Sequence, residues 1–266
     1  MTKKAYFISI FPTIFNVVLN EGITKKSLTK GIIDFEVVNP MDFLKEKERL
    51  DDVTYGGGPG MLLKALPLIE SIDFCKKKSK KDSKVIYLSP QGHLFNQSIA
   101  KKLAKEDELI FVCGRYEGID NRVIESRVDL ELSVGDYVLS GGEIAALAVH
   151  DSICRNYKGF LGDENSLLEE SLENNLLEYP QYTKPKDMES GKVPEVLLSG
   201  DHKKIAHWRR KQSLGKTFLN RKDLFSKLDL KKTDLEILEE FLSELGYDSD
   251  RICLLYTSPS PRDDIS

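Results

Sequence analysis

Short apolar segments alternate with helical segments over residues 1–162, and this alternation constrains the fold more than any other feature of the sequence. Five segments rich in β-branched and aromatic residues have the length and composition of buried strands. These predicted strands are Ala5–Ile10, Ile32–Val38, Val85–Leu88, Leu109–Gly114 and Val128–Val134. The predicted helices are Ile14–Leu28, Lys64–Lys77, Asn96–Lys105, Asp120–Glu125 and Glu143–Arg155. Strands that alternate with helices form a parallel sheet covered on both faces, so we predict an α/β fold for this region.

The pattern changes after residue 162. Residues 163–178 contain six acidic residues and no basic one, which is typical of a linker or mobile loop. From Asp201 onward only helical patterns follow, so we predict a small all-helical C-terminal domain over residues 179–252. Residues 253–266 are rich in serine and proline at their end and resemble a translated adapter sequence, so we expect this tail to be non-native.

Basic residues are concentrated in the C-terminal part of a chain whose net charge is −4. Residues 201–232 hold eleven lysines and arginines and only three acidic residues. Such a block forms either a solvated helical surface or a patch that contacts phosphates. The charge pattern by itself leaves both interpretations open.

Membrane proteins and His/Cys metalloenzymes are disfavoured. The longest uncharged apolar run is Ile144–Val149, far shorter than the ~20 residues that a membrane-spanning helix needs. The first residues lack the long apolar region of a signal peptide, so we expect a soluble, cytoplasmic protein. The four cysteines form no C-x-x-C pair and the four histidines no H-E-x-x-H motif, so no zinc site is predicted.

Glycine-containing segments follow three of the predicted strands. They are Ser89–Gly92, Cys113–Asp120 and Gly135–Glu143. Any one of these segments could simply be a tight turn between a strand and a helix. Ligands, however, bind beyond the carboxyl ends of parallel strands, so the three segments together predict one shared pocket. Neither G-x-G-x-x-G nor G-x-x-x-x-G-K-[ST] is present, and Tyr55–Met61 follows no strand, so a dehydrogenase or P-loop enzyme is disfavoured.

Seven motifs, in one order along the chain, carry a family resemblance. They are DDVTYGGGPGM at 51–61, YLSPQG at 87–92, CGRYEGID at 113–120, SVGDYVLSGGE at 133–143, LLEYPQYTKP at 176–185, VPEVLLSGDH at 193–202 and WRRKQSLGKT at 208–217. Together they resemble the bacterial tRNA (guanine-N1)-methyltransferase family, TrmD. The resemblance covers about residues 3–246.

The resemblance implies a SPOUT fold, in which the C-terminal part of the parallel sheet is threaded into a trefoil knot. It also implies a homodimer with active sites at the subunit interface. The implied reaction transfers a methyl group from S-adenosylmethionine to guanine N1 of tRNA position 37, the nucleoside 3′ of the anticodon.

The resemblance also implies a cofactor pocket with apolar walls and backbone hydrogen-bonding groups. The implied cofactor-binding residues are Tyr87, Leu88, Ser89, Pro90, Gly114, Arg115, Tyr116, Glu117, Val134, Gly135, Tyr137, Leu139, Gly141 and Gly142. Glu117 is a carboxylate available to a positively charged ligand, and the alternative for it is an ion pair with Arg115 or Arg122.

Guanine N1 carries a proton, so the reaction needs a base for that proton and a cation for the charge that develops on O6. The resemblance assigns these roles to Glu170 and Arg155. The chain departs from the family because Glu170 stands where Asp is usual and Leu172 where an aromatic residue is usual. Glu117, Glu170 and Glu178 are the candidate ligands for Mg²⁺, and Gln181 stands where many relatives have His.

The basic block then becomes a candidate surface for the tRNA backbone. Its implied tRNA-binding residues are Lys203, Lys204, Arg209, Arg210, Lys211 and Lys216, with Lys184 a weaker candidate. Two alternatives remain: an RNA-binding SPOUT protein with impaired catalysis, suggested by Glu170, and a SPOUT ribose methyltransferase. The second would lack the motifs at 176–185 and 208–217.

Overall fold

A five-stranded, entirely parallel sheet organises the N-terminal part of the chain. The structure is a computed structural model that describes residues 2–79, 82–162, 172 and 175–247. The chain divides into two compact units, 1–164 and 165–266.

The first unit follows the predicted alternation of strands and helices. Its strands are β1 (Lys3–Ile8), β2 (Ile33–Val38), β3 (Asp51–Asp52), β4 (Leu62–Leu63), β5 (Lys84–Leu94), β6 (Glu108–Cys113) and β7 (Leu130–Ser133). Its helices are α1 (Pro12–Leu19), α2 (Gly22–Thr29), α3 (Ala65–Lys78), α4 (Gln97–Leu103), α5 (Asn121–Arg127) and α6 (Gly142–Cys154), with a 3₁₀ turn at Pro40–Phe43. The main sheet has the order β2-β1-β6-β5-β7, and β3 pairs with β4 in a separate hairpin. The prediction of a parallel sheet flanked by helices is confirmed.

Side chains of the central strands alternate between two cores, as the two-residue period of a strand requires. Phe7 and Phe111 lie in the core that contains α1, α4 and α6. Their neighbours Tyr6 and Ile110 lie in the core that contains α3 and α5. The sheet is therefore buried on both faces.

Two predicted elements differ in the structure. The single helix predicted over residues 14–28 is two helices, because Glu21 is extended (φ −123°, ψ 160°) and Gly22, with a positive φ of 58°, begins the second helix. The segment Ser89–Gly92, predicted as a loop after a strand, lies inside β5, which pairs with β7 both before and after it. The apolar pattern ends at Leu88, so no local signal marks the longer strand.

The described part of the second unit packs helices around a small apolar core. Its elements are β8 (Asp187–Met188), β9 (Gly191–Lys192), α7 (Glu195–Leu198), α8 (His202–Asn220), α9 (Lys222–Phe225) and α10 (Lys232–Glu244). Leu214 and Phe218 of α8 pack against Leu238, Phe241 and Leu242 of α10. The helices predicted after Asp201 are present, whereas the hairpin of β8 and β9 was not predicted. The expected non-native tail at 253–266 lies outside the described residues.

A histidine is buried in the first core. His150 of α6 lies edge-on to Phe7 and Phe111, with ring centroids 5.2 and 6.1 Å away, and one ring nitrogen is 3.4 Å from Cys154 Sγ. Burial disfavours the charged imidazolium and lowers the pKa of His150 to about 4. The folded protein therefore holds this side chain neutral at pH 7.

We expect His150 to destabilise the folded protein as the pH falls. Its pKa is depressed in the folded state, so below about pH 6.5 the unfolded chain takes up a proton that the folded chain does not. From pH 7 to pH 5, wild type should lose about 2 kcal/mol more unfolding free energy than His150→Leu. Urea unfolding at several pH values measures this difference. Exposed His93→Gln is the control and should parallel wild type, whereas a pH-independent gap for His150→Leu would contradict the expectation.

Candidate active site

Residues 87–91 in the middle of β5 and the carboxyl ends of β6 and β7 surround a cavity of about 430 Å³. The cavity lies in the first unit, at the edge of the sheet where parallel strands present their ligand-binding loops. Segments after Leu88, Cys113 and Ser133 form its wall. The three segments that the sequence places at strand ends thus meet at one site.

All but one of the residues predicted to bind the cofactor line this cavity. The lining residues from that set are Tyr87, Leu88, Ser89, Pro90, Gly114, Arg115, Tyr116, Glu117, Val134, Tyr137, Leu139, Gly141 and Gly142. The exception is Gly135. A Cβ on Gly135 would stand 2.4 Å from the ring of Tyr137, so its lack of a side chain lets that ring fold back.

Further lining residues were not among the predicted cofactor-binding residues, although some belong to the three segments predicted to form the pocket. They are Gln91, Gly118, Ile119, Asn121, Ile124, Glu131, Leu132, Ser133, Val138 and Ala145. Most are neighbours of predicted residues along a strand or loop. Asn121 and Ile124 are three residues apart at the start of α5, a spacing that places them on one helix face and could have identified them.

Glycines allow two of the pocket segments to touch through their backbones. Gly142 N donates a hydrogen bond to Gly114 O at 2.9 Å. A Cβ on Gly142 would lie 2.9 Å from Cys113 Cα and 3.0 Å from Gly114 N. These are backbone atoms that cannot move aside as a side chain does, so only glycine fits this position.

Tyr87 forms a rigid wall of the cavity. Burial raises the pKa of its phenol to about 12, with a smaller contribution from the nearby carboxylate of Glu131. A Cβ on Gly114 would stand 2.9 Å from Tyr87 Oη. Tyr87 is therefore a neutral side chain packed against the loop after β6.

Glu117 is an exposed carboxylate on the cavity rim. Its backbone N–H donates to Met61 O at 3.1 Å, and its side chain packs over Gly60 in the turn between β3 and β4. The two arginines considered as its ion-pair partners are paired elsewhere. Arg115 pairs with Glu143 at 2.9 Å and Arg122 with Asp120 at 2.6 Å.

The structure describes one of the two predicted catalytic residues. Arg155 follows α6 as its C-terminal cap, whereas Glu170 lies outside the described residues. Glu178, in the second unit, accepts a hydrogen bond from Gln181 Nε2 at 2.6 Å. Within residues 2–79, 82–162, 172 and 175–247, no three His, Cys, Asp or Glu side chains are grouped so that they could hold a metal ion.

The predicted tRNA-binding residues of α8 have different environments. Lys203 and Lys204 are exposed, and Lys216 is half-buried. Lys211 is only 8% exposed and donates to Glu240 and Glu244, both at 2.6 Å. Arg210 pairs with Asp234 at 2.8 Å, and the guanidinium of Arg209 stacks over the ring of Tyr179.

Gly142→Ala is expected to destabilise the first unit by about 1–3 kcal/mol, because its Cβ must displace the backbone of residues 113–114. Urea unfolding measures the change. Gly162→Ala is the matched control, since a Cβ there meets nothing within 4 Å. Equal stabilities of Gly142→Ala and wild type would show that the two segments are not in close contact.

In the part of the chain that the structure describes, none of the helices has the length and hydrophobicity that spanning a membrane requires.

Comparisons with known proteins agree with the motif resemblance. The family model described as tRNA (Guanine-1)-methyltransferase TrmD matches residues 3–227. A protein from Dictyoglomus turgidum is 50% identical over 239 residues, which cover 90% of this chain and 96% of that relative. Proteins from Photobacterium profundum and Vibrio campbellii are 46% and 47% identical over 238 residues, covering 89% of this chain and 96% of each relative. All three are named tRNA (guanine-N(1)-)-methyltransferase, and this chain belongs to the TrmD family.

Proposed function

We propose that this protein transfers a methyl group from S-adenosylmethionine to N1 of the guanosine at tRNA position 37, in the cytoplasm where tRNA is used. The observation that carries the proposal is the cavity between residues 87–91 of β5 and the carboxyl ends of β6 and β7, in a chain of the TrmD family. A methyltransferase of this family uses S-adenosylmethionine and acts on tRNA. The position of the target nucleoside rests on the family resemblance.

The cavity suits S-adenosylmethionine in size and chemistry. Its volume of about 430 Å³ lies within the range of small-molecule sites, and Leu88, Val134 and Leu139 provide apolar walls for an adenine ring. Glu117 and Glu131 place carboxylates around a ligand that carries ammonium and sulfonium charges. S-adenosylmethionine supplies an electrophilic methyl group when bound.

We propose that β5 and β7 are part of a trefoil knot. Leu132 of β7 pairs with Leu88 before the bend in β5 and with His93 after it. A Cβ on Gly92 would stand 2.5 Å from the backbone of Glu131 and Leu132. This close approach of residues 88–93 to β7 supports the proposed threading of one segment past another.

The chemistry at guanine follows from the N1 proton. Loss of the N1 proton places negative charge on O6, and N1 then forms its bond to the methyl carbon while the S–CH₃ bond of the donor breaks. S-adenosylhomocysteine leaves as a neutral thioether, and the charge on O6 is neutralised in the product. We propose that the Glu170 carboxylate accepts that proton and that the Arg155 guanidinium stabilises the charge on O6. Glu178 is the second candidate for the base.

Mg²⁺ is a further candidate ligand for acidic side chains of this chain. Carboxylate oxygens are ligands that Mg²⁺ prefers, and Glu117, Glu170 and Glu178 are the residues of this chain that would hold it. Glu170 lies outside the described residues, and Glu117 and Glu178 belong to different units. The proton transfer proposed above needs only protein side chains, because the Glu170 carboxylate accepts the proton. A bound Mg²⁺ would add positive charge beside these carboxylates.

Incubation with S-adenosylmethionine and tRNA that carries guanosine at position 37, followed by nucleoside analysis, tests the proposed function. We expect 1-methylguanosine at that position. Glu170→Gln should bind the cofactor normally and lower single-turnover methylation by about 10²–10⁴-fold, because an amide cannot take the N1 proton.

Glu170→Asp is the matched control and should retain activity if the pocket accepts the shorter base that is usual in the family. Near-normal methylation by Glu170→Gln would place the base elsewhere, with Glu178 the next residue to change. Binding of tRNA without any 1-methylguanosine would instead favour an RNA-binding protein with impaired catalysis.

We propose that tRNA contacts the second unit through the exposed side chains of α8. Lys203 and Lys204 are the strongest phosphate contacts of the predicted set, because both are exposed to solvent and the ion pair of Lys204 with Asp201, at 3.7 Å, is itself exposed and weak. Arg210 and Lys211 are held by carboxylates of α10, so their charge is already compensated within the unit. The proposed contact surface is therefore the N-terminal part of α8.

Salt dependence tests this surface. Charge reversal of Lys203 and Lys204 to Glu should reduce the slope of log affinity for tRNA against log salt by about 0.7–0.9 for each phosphate that is no longer bound. Lys25→Glu/Lys26→Glu on α2 makes the same change in net charge and should leave the slope near wild type. An unchanged slope in the α8 variant would remove Lys203 and Lys204 from the tRNA contact surface.

We propose a homodimer that uses the face of the first unit formed by α1 and α6. These two helices contact each other. Val17 and Val18 of α1 and Ile144 of α6 are exposed, as are Tyr137 and Val138 at the cavity rim. An exposed apolar area of this kind is typical of a protein interface.

Light scattering at micromolar concentration should give twice the chain mass of 30.2 kDa. Val18→Glu/Ile144→Glu should shift the protein to the monomer, because an interface would then bury two charges. Leu66→Glu, at an exposed apolar position of α3 on the opposite side of the sheet, is the control and should stay dimeric. A wild-type mass of 30.2 kDa would contradict the dimer.

A further inference from the structure

A buried carboxylate stands directly behind the cavity. Glu143, in the first turn of α6, is 1% exposed, although glutamate is almost never fully buried unless it is paired. Its Oε1 accepts a hydrogen bond from Ser9 Oγ at 2.8 Å, and its Oε2 lies 2.9 Å from Arg115 Nε. The second contact is an ion pair without well-aligned hydrogen-bond geometry. Glu143 itself does not line the cavity, whereas Arg115 does.

Arg115 is held in one orientation by several groups besides Glu143. Its Nη1 donates to Ser140 O at 3.0 Å, and its guanidinium lies over the ring of Phe11, 4.5 Å from the centroid. A Cβ on Gly141 would stand 2.3 Å from Arg115 Nε, so the arginine fills the space that a side chain at 141 would take. The side chain is therefore packed between the two cavity loops.

The same contacts connect three segments that are distant in sequence. Ser9 follows β1 and its Oγ accepts a hydrogen bond from Phe11 N at 3.0 Å. Arg115 belongs to the loop after β6, and Glu143 begins α6. Because Glu143 contacts both Ser9 and Arg115, its carboxylate links the end of β1 to two walls of the cavity.

We infer that Glu143 is a positioning residue for the cofactor pocket, which it shapes by holding Arg115 between the loops at 114–117 and 134–142. This inference rests on the proposed function, since it assigns Glu143 a part in binding the same cofactor. The physical reason is that Arg115 is only 19% exposed, so without the Glu143 carboxylate its guanidinium must find another partner or move towards solvent. Either movement displaces the wall that Arg115 forms.

Binding of S-adenosylhomocysteine, measured by calorimetry on the full chain, tests this role. Glu143→Gln keeps the shape of the side chain and removes the charge, and we expect about tenfold weaker binding, within the range of couplings seen inside one network. The KM for S-adenosylmethionine should rise by a similar factor while kcat changes less. Ser9→Ala, which removes only one hydrogen bond to Glu143, should weaken binding by about two- to tenfold.

A double-mutant cycle shows whether Glu143 acts through Arg115. Arg115→Gln should weaken binding, and adding Glu143→Gln to it should produce little further loss, because the second change removes a contact that no longer exists. Asp107→Asn is the control, since it breaks an ion pair with Lys3 at the opposite end of β1 and should leave ligand binding unchanged. Thermal unfolding of every variant separates stability from binding.

Two results would overturn the inference. One is a Glu143→Gln variant with lower thermal stability and wild-type ligand affinity, which would make the residue purely structural. The other is an equal loss of affinity with and without Arg115, which would show that Glu143 acts independently of it. If Glu143→Gln does not fold, the same comparisons are made with Ser9→Ala. Wild-type binding and methylation test the proposed function separately from these variants.

Discussion

The backbone contact between the start of α6 and the end of β6 is the constraint on which the rest of the pocket depends. Gly142 N donates to Gly114 O at 2.9 Å, and no side chain fits between Gly142 and Cys113. This approach brings the loop that precedes α6 onto the loop that follows β6. The cavity wall, the ion pair of Arg115 with Glu143 and the packing of Tyr87 against Gly114 all follow from these two loops lying in contact.

Much of the first unit could be predicted because the strand pattern and the helix pattern of the sequence indicate the same fold. Strands such as Leu109–Gly114 are apolar on both faces, and helices lie between them, so the sequence specifies a parallel sheet buried on both sides. The extension of β5 through residues 89–94 could not be predicted, because its pairing comes from contact with β7 and not from local hydrophobicity. The break between α1 and α2 depends on the extended backbone of Glu21 and on the positive φ of Gly22, which glycine permits but does not require.

The loops that form the candidate site could be predicted from the sequence, but the side-chain contacts that support those loops could not. All but one of the cofactor-binding residues that the motifs predict line the cavity, whereas nothing local marks Glu143 as the partner of Arg115 and Ser9. A charge pattern also cannot tell a ligand-binding lysine from a structural one. Lys203 is exposed, whereas Lys211, eight residues later on the same helix, is buried between two glutamates of α10. That distinction arises only when the two helices pack together.

The proposed function requires that the cavity between residues 87–91 of β5 and the carboxyl ends of β6 and β7 holds the methyl donor. A crystal structure of the protein with S-adenosylhomocysteine measures this most directly. We predict the adenosine group between Leu88 and Leu139, next to Tyr87, with the pairing of Arg115 and Glu143 retained. A ligand bound elsewhere on the chain, with this cavity filled only by solvent, would contradict the claim.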